Sequence, residues 1–207
     1  MINKTKFEKI KKEMESYDKE REGIILKTRQ IIKLSKQIIY GLHRKENVDK
    51  LVQEIKKEIQ TIKKIAKSPE AEYENSYKQA MQEYVEAMAF YNFSKENRLV
   101  DYDELEVLPE YYLLGLCDLT GELVREAVNS SIRGDFSRTE KIKDFVSDLY
   151  GILLQFDFRN GEIRKKFDGI KYDLKKLEDI MFDLKMILMV VVYYVFLIDI
   201  NKFLSIF

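Results

Sequence analysis

The sequence predicts an all-α fold, a single-domain bundle of about six to seven long helices. Three observations predict it. The 207 residues include only two prolines and eight glycines in a background rich in Lys, Glu, Leu and Ile, so helix breakers are scarce and helix formers abundant. Apolar residues recur at helical spacing along most of the chain. No segment alternates apolar and polar residues well enough to outcompete a helical reading. With 45% apolar and 35% charged residues, the chain has the material for one large core and is neither disordered nor disulfide-built.

The first helix is expected from about Lys4 to Leu42, with Ile24, Ile25, Ile31, Ile32, Leu34, Ile38 and Ile39 on or near its apolar stripe. A turn at HRKEN leads to a second helix, about Val48 to Ala66, on which Leu51, Ile55, Ile59, Ile62 and Ile65 repeat. Ser68 and Pro69 offer an N-cap and a first-turn proline for the third helix. That helix carries Tyr73, Tyr77, Ala80, Met81, Tyr84, Val85, Met88 and Ala89 and ends near Asn97. RLVDYDELEVLPE is a short connection with one helical turn at DYDEL.

Pro109 opens the next helix, in which Leu113, Leu116, Leu119, Leu123, Val124 and Ala127 form the apolar set. NSSIRGDFSR ends it, with Gly134 as the stop signal. A further long helix is expected over about Glu140 to Gln155, a turn at Asn160 and Gly161, and a last helix from Glu162 past Lys185. The helical domain is therefore placed at residues 1–185 and a distinct tail at 186–207. In that tail, MILMVVVYYVFLI (Met186 to Ile198) is an uncharged apolar run of 13 residues. It is short of the ~20 that span a bilayer as a helix. A buried helix end or a subunit contact is the expectation; a membrane or interfacial anchor is the alternative.

Net charge is zero, but its distribution is uneven. Residues 1–70 carry 19 Lys/Arg against 11 Asp/Glu, a net of +8, whereas residues 71–140 carry 6 against 15, a net of −9. Such polarity suits phosphates on one side and a divalent cation on the other. Cys117 is the only cysteine, which rules out an intrachain disulfide and a cysteine-rich zinc site. His43 is the only histidine, so no histidine-based triad fits within one chain; a capping or packing role is expected for it. MINKTKFEKIKKE has no apolar signal-peptide core, and a cytoplasmic location is expected.

Four acids stand apart from the solvated charge runs. Glu83 and Glu86 share a helical face in QEYVEAMAF, and Asp118 and Glu122 share one in the later helix. Oxygen ligands gathered without His or Cys select Mg²⁺, Mn²⁺ or Ca²⁺ over Zn²⁺. A cation held there can polarise a phosphoryl oxygen or activate water for in-line attack on a phosphodiester. The other reading of the four acids is a structural network satisfied by Arg or Lys, with Arg125 the nearest in sequence. Tyr84, Phe90, Tyr91 and Phe93 fit either the core or a base-stacking surface. Arg159, Arg164, Lys165 and Lys166 cluster at a turn and helix start, where they serve a solvated face or a phosphate track.

Three blocks carry a family resemblance. QEYVEAMAFYNF (Gln82 to Phe93) and YLLGLCDLTGELVREAVNS (Tyr112 to Ser130) resemble segments of translin-associated factor X (TRAX). RKKFDGIKYDLKKLEDIMFDLK (Arg164 to Lys185) is similar to the C-terminal helix of translin. The chain thus resembles the translin superfamily from about Leu26 to Lys185.

The resemblance implies a helical fold assembled into a hollow, octamer-like homo-oligomer that binds single-stranded RNA, and single-stranded DNA as a further ligand. It also implies a Mg²⁺-dependent endoribonuclease of TRAX type. Glu83, Glu86 and Asp118 then fall on the catalytic, metal-holding acids, with Glu122 as a fourth ligand or water orienter. Arg125 becomes a candidate for the scissile phosphate. The alternative function is translin-like binding without cleavage. Two segments depart from the family pattern. The apolar tail replaces an Arg-Gly segment, and YENSYKQAM, with Lys78 its only basic residue, replaces a basic nucleic-acid segment.

Overall fold

The helix-forming composition is realised along almost the whole chain. The structure, a computed structural model, describes residues 2–68 and 74–204, with side chains described up to residue 198. Among the described residues there is no strand, and the elements run α1 (Lys4–His43), α2 (Asp49–Ile65), α3 (Asn75–Glu96), α4 (Tyr102–Leu105), α5 (Pro109–Ile132), α6 (Phe136–Leu153) and α7 (Glu162–Leu204). The chain forms two compact units, residues 1–119 and 120–207, divided within α5.

In the first unit α1 packs on α2 and α3. Its helix starts where the Asn3 side chain accepts the Lys6 N–H at 3.2 Å. Buried Ile24, Ile31, Leu34, Ile38 and Ile39 of α1 meet a core to which α2 adds Val52, Ile55, Ile59 and Ile62. α3 is buried on nearly every side, through Tyr77, Ala80, Met81, Tyr84, Val85, Ala87, Met88, Ala89, Phe90 and Phe93. A helix buried on most of its faces is an interior helix, not an amphipathic cover. That decides the aromatic question. Tyr84, Phe90 and Phe93 belong to the core and offer no face to a base, while half-buried Tyr91 donates its hydroxyl to Asp49 at 2.8 Å. His43 packs against Phe90 with ring centroids 4.9 Å apart, and Cys117 is a buried thiol.

The start of α3 differs from expectation. Its N-cap is Glu74, not Ser68. Ser68 is engaged elsewhere: its amide and hydroxyl both donate to Glu20 of α1, at 2.9 and 3.2 Å, beside the Lys67 amide at 2.6 Å. Pro69 and Tyr73, assigned to this helix from the sequence, lie outside the described residues. These bonds, with the Ser68 amide foremost, hold the Glu20 carboxyl below its ordinary value of 4.5. A depressed folded-state value means that the contribution is present above the ordinary value and disappears as pH falls through the depressed one. Glu20→Gln is therefore expected to flatten the fall in thermal stability below about pH 4.5, read as Tm against pH.

The second unit holds the end of α5 with α6 and α7. Gly134, at a φ of +78°, closes α5 as the sequence indicates. Asp135 then caps α6 at once, accepting the Arg138 N–H at 3.1 Å, so α6 begins at Phe136 rather than near Glu140. The Ser131 and Thr139 hydroxyls meet at 3.0 Å across this turn, and Thr139 also donates to the Ala127 carbonyl at 3.2 Å.

Buried Glu126 accepts from Arg133 and Ser130, each at 3.3 Å. Burial pulls the Arg138 guanidinium down, opposed first by the negative charge of Glu126. Glu126→Ala removes a buried acid that accepts from Arg133 and whose charge offsets the burial of Arg138. It is expected to cost about 1–2 kcal/mol, measured by urea unfolding.

α6 and α7 pack together, and Ile142, Val146, Leu149, Leu153, Phe167, Ile170 and Leu177 are buried. Tyr150 stacks on Phe167 with centroids 5.4 Å apart. α7 runs unbroken across Lys185 and Met186, where its composition changes from amphipathic to apolar. The tail is thus the continuation of α7. The expectation that it is a buried helix end does not hold within this chain: from Met186 to Phe196 every side chain is 46–68% exposed. No described segment of the chain lies over it.

Candidate acidic site on α3 and α5

The α3 and α5 helices approach each other at a glycine. A Cβ built on Gly115 would lie 2.6 Å from the Val85 Cβ and 2.8 Å from the Gln82 carbonyl oxygen, so only glycine admits this separation. One turn further along α5, the approach brings Asp118 within reach of α3: Gln82 donates its side-chain amide to Asp118 Oδ2 at 2.5 Å. A second polar tie joins the same helices, Lys78 to Glu110 at 2.8 Å.

Glu83 and Glu86 follow Gln82 on α3, and both are half-buried, as is Asp118. On a helix whose other residues are mostly core, this places carboxylates at the edge of a low-dielectric region, where charge interactions are strengthened. Glu122 is also half-buried; its Oε2 lies 3.7 Å from Arg125 Nη1 on the same helix. The ion-pair alternative named from the sequence is therefore present for that acid. Among the described residues, no three His, Cys, Asp or Glu side chains converge closely enough to hold a metal ion.

Tyr84, next to Glu83, has its hydroxyl pushed up to about 12, first by burial and then by the charge of Glu106. It stays protonated at neutral pH.

The basic residues lie in the second unit. Arg159, Arg164 and Lys165 are exposed and Lys166 is half-buried. Arg164 bonds Asp168 at 3.1 Å and sits 5.9 Å over the Phe167 ring, so part of this cluster is engaged within α7. Two residues escaped the sequence reading: Gln82, which anchors Asp118, and Gly115, which admits the contact. The signal for Gly115 was present as a glycine inside a strong helical run, a feature it shares with Gly121. Nothing in the sequence pairs Gln82 with a residue 36 positions away.

Residues 19–186 match the Translin family. The chain belongs to the translin family. Translin from Gallus gallus is 43% identical over 75 residues, covering 36% of this chain and 33% of that protein, so the chain spans about a third of the length of the curated translin it matches. Translin-associated protein X from Pongo abelii is 26% identical over 223 aligned residues, covering 86% of this chain and 77% of that one. The solved structure of AfC3PO in complex with duplex RNA superposes with a TM-score of 0.76 at 28% identity, over 87% of this chain and 97% of that one. The second unit of this translin-family chain extends past the matched region into the apolar end of α7.

Proposed function

We propose that this translin-family chain is a metal-dependent endoribonuclease of TRAX type, acting on RNA within an octamer-like homo-oligomer. The observation that carries the proposal is the α3–α5 approach at Gly115, which sets Asp118 against Gln82, the residue that precedes Glu83 on α3. RNA as the ligand is supported by the duplex RNA bound to AfC3PO, a relative of the same fold. That relative widens the expected substrate from single-stranded RNA to include duplex RNA.

Glu83, Glu86 and Asp118 would hold the cation, with Glu122 one turn further along α5 as the fourth acid. All four donors are hard oxygens, and that chemistry fits Mg²⁺ or Mn²⁺. Such an ion supplies charge stabilisation at a phosphoryl oxygen and a lowered pKa for water. Gln82 would orient the Asp118 carboxylate through the hydrogen bond its side-chain amide donates. Arg125, Arg159, Arg164, Lys165 and Lys166 would meet phosphates, a contact indifferent to base identity and weakened by salt.

A second reading is RNA binding without cleavage. It is favoured by the lack of three converging acids among the described residues. One assay separates the two. The purified chain is stripped with chelator and incubated with fluorescent single-stranded and duplex RNA, and Mg²⁺ or Mn²⁺ is then restored. Cleavage that returns with the metal supports the nuclease. Retained binding with no cleavage on either RNA leaves the strand-binding reading.

A further inference from the structure

We propose that the apolar end of α7 inserts into the hydrocarbon of a lipid bilayer, anchoring this chain to a membrane. The proposal does not depend on the nuclease reading. It rests on a contrast within one continuous helix. Along its earlier turns α7 is two-faced: Phe167, Ile170 and Leu177 are buried while Lys171, Lys175, Lys176, Glu178 and Asp179 are exposed. From Met186 to Ile198 there is no second face. The eleven consecutive side chains from Met186 to Phe196 point in every direction around three helical turns, carry no charge, and are all 46–68% exposed.

That geometry selects the occupant. A second copy of the helix would cover one stripe and leave the rest in water; paired helices therefore keep polar residues on their outer positions. Here Val190, Val191 and Val192 occupy three successive directions, and all three are exposed. No outer polar face exists. A helix apolar all round is stable only where apolar matter surrounds it, and the hydrocarbon of a bilayer does so without a specific partner.

The length suits insertion rather than a full span. The uncharged run from Met186 to Ile198 extends about 20 Å at the helical rise, against a hydrocarbon core of about 30 Å. Asp183 and Lys185 stay at the end nearer the folded unit. Lys185 is placed to reach back to the headgroups. All the backbone groups of this stretch are satisfied within the helix, as a hydrocarbon environment requires.

The test uses the full chain. It is reconstituted from detergent with vesicles of neutral phosphatidylcholine, which gives basic residues no anionic surface to adsorb to, and floated on a density gradient in molar salt. The parent is expected to float with the lipid. Val191→Lys with Val195→Lys, two positions exposed in the fold and touching no core, should keep the helical circular-dichroism signal. That variant should lose flotation, because each central lysine lowers insertion by about a hundredfold. A chain truncated after Lys185 is a second variant with the same expectation. Three results overturn the proposal: a parent that stays at the bottom of the gradient, a parent released from lipid by salt, or a double-lysine variant that floats as the parent does.

Discussion

Asp118→Asn is expected to reduce metal-dependent RNA cleavage at least about a hundredfold while leaving RNA affinity and fold unchanged. The choice of asparagine follows from the geometry. Gln82 donates to Asp118 Oδ2, and the asparagine carbonyl oxygen accepts that same bond, so the α3–α5 contact survives. What is lost is the negative charge and one hard oxygen ligand. Glu83→Ala tests the facing helix and is expected to behave in the same way. The measurements are single-turnover cleavage rates, RNA binding by anisotropy, and oligomer mass. Undiminished cleavage in the combined variant would remove these acids from the mechanism. A loss of cleavage accompanied by a collapse of the fold would instead mark Asp118 as structural.

The second large effect concerns stability. Gly115→Val should destabilise the chain by about 3 kcal/mol or more, and Gly115→Ala by less, although alanine is the better helix former. A Cβ at this position meets Val85 at 2.6 and 2.7 Å and the Gln82 carbonyl at 2.8 Å. One of those obstacles is backbone, so no rotamer change relieves the clash. The helix-propensity gain of about 1 kcal/mol is smaller than the overpacking penalty.

Gly121, two turns later on α5, provides the control. A Cβ there meets nothing within 4 Å, so Gly121→Ala should stabilise by about 0.5–1 kcal/mol. Opposite signs for the same substitution on one helix, read by chemical denaturation, check the α3–α5 approach directly. Because that approach positions Asp118, Gly115→Ala is also expected to lower cleavage.

The helices were legible because their signals are local. The apolar spacing in α1 and α2 returned as the buried faces of those helices, and Gly134 stopped α5 where a left-handed residue was needed. The boundaries that moved did so through side chains with competing partners. Ser68 has the composition of a cap, yet it turns to Glu20, which lies 48 residues earlier. Asp135 caps α6 a turn sooner than the apolar pattern suggests, because the preceding glycine has already reversed the chain. The aromatics of α3 had two readings until their surroundings were known, since a phenylalanine in a core and one beneath a base have the same helical spacing.

By itself the sequence determined the all-α class, the order of the long helices, the family resemblance, the identity of the four acids and the apolar character of the last segment. Each of these is carried by residue type and by spacing within a few turns, the range over which a helix forms its own hydrogen bonds. Only the tertiary structure decided that α3 lies in the interior, that Gly115 admits α5 to within bonding distance of Gln82, and that no described part of the chain covers α7 from Met186 to Phe196. Those outcomes depend on how helices distant in sequence pack, and packing is settled by the shapes of two facing surfaces together, which neither segment encodes alone.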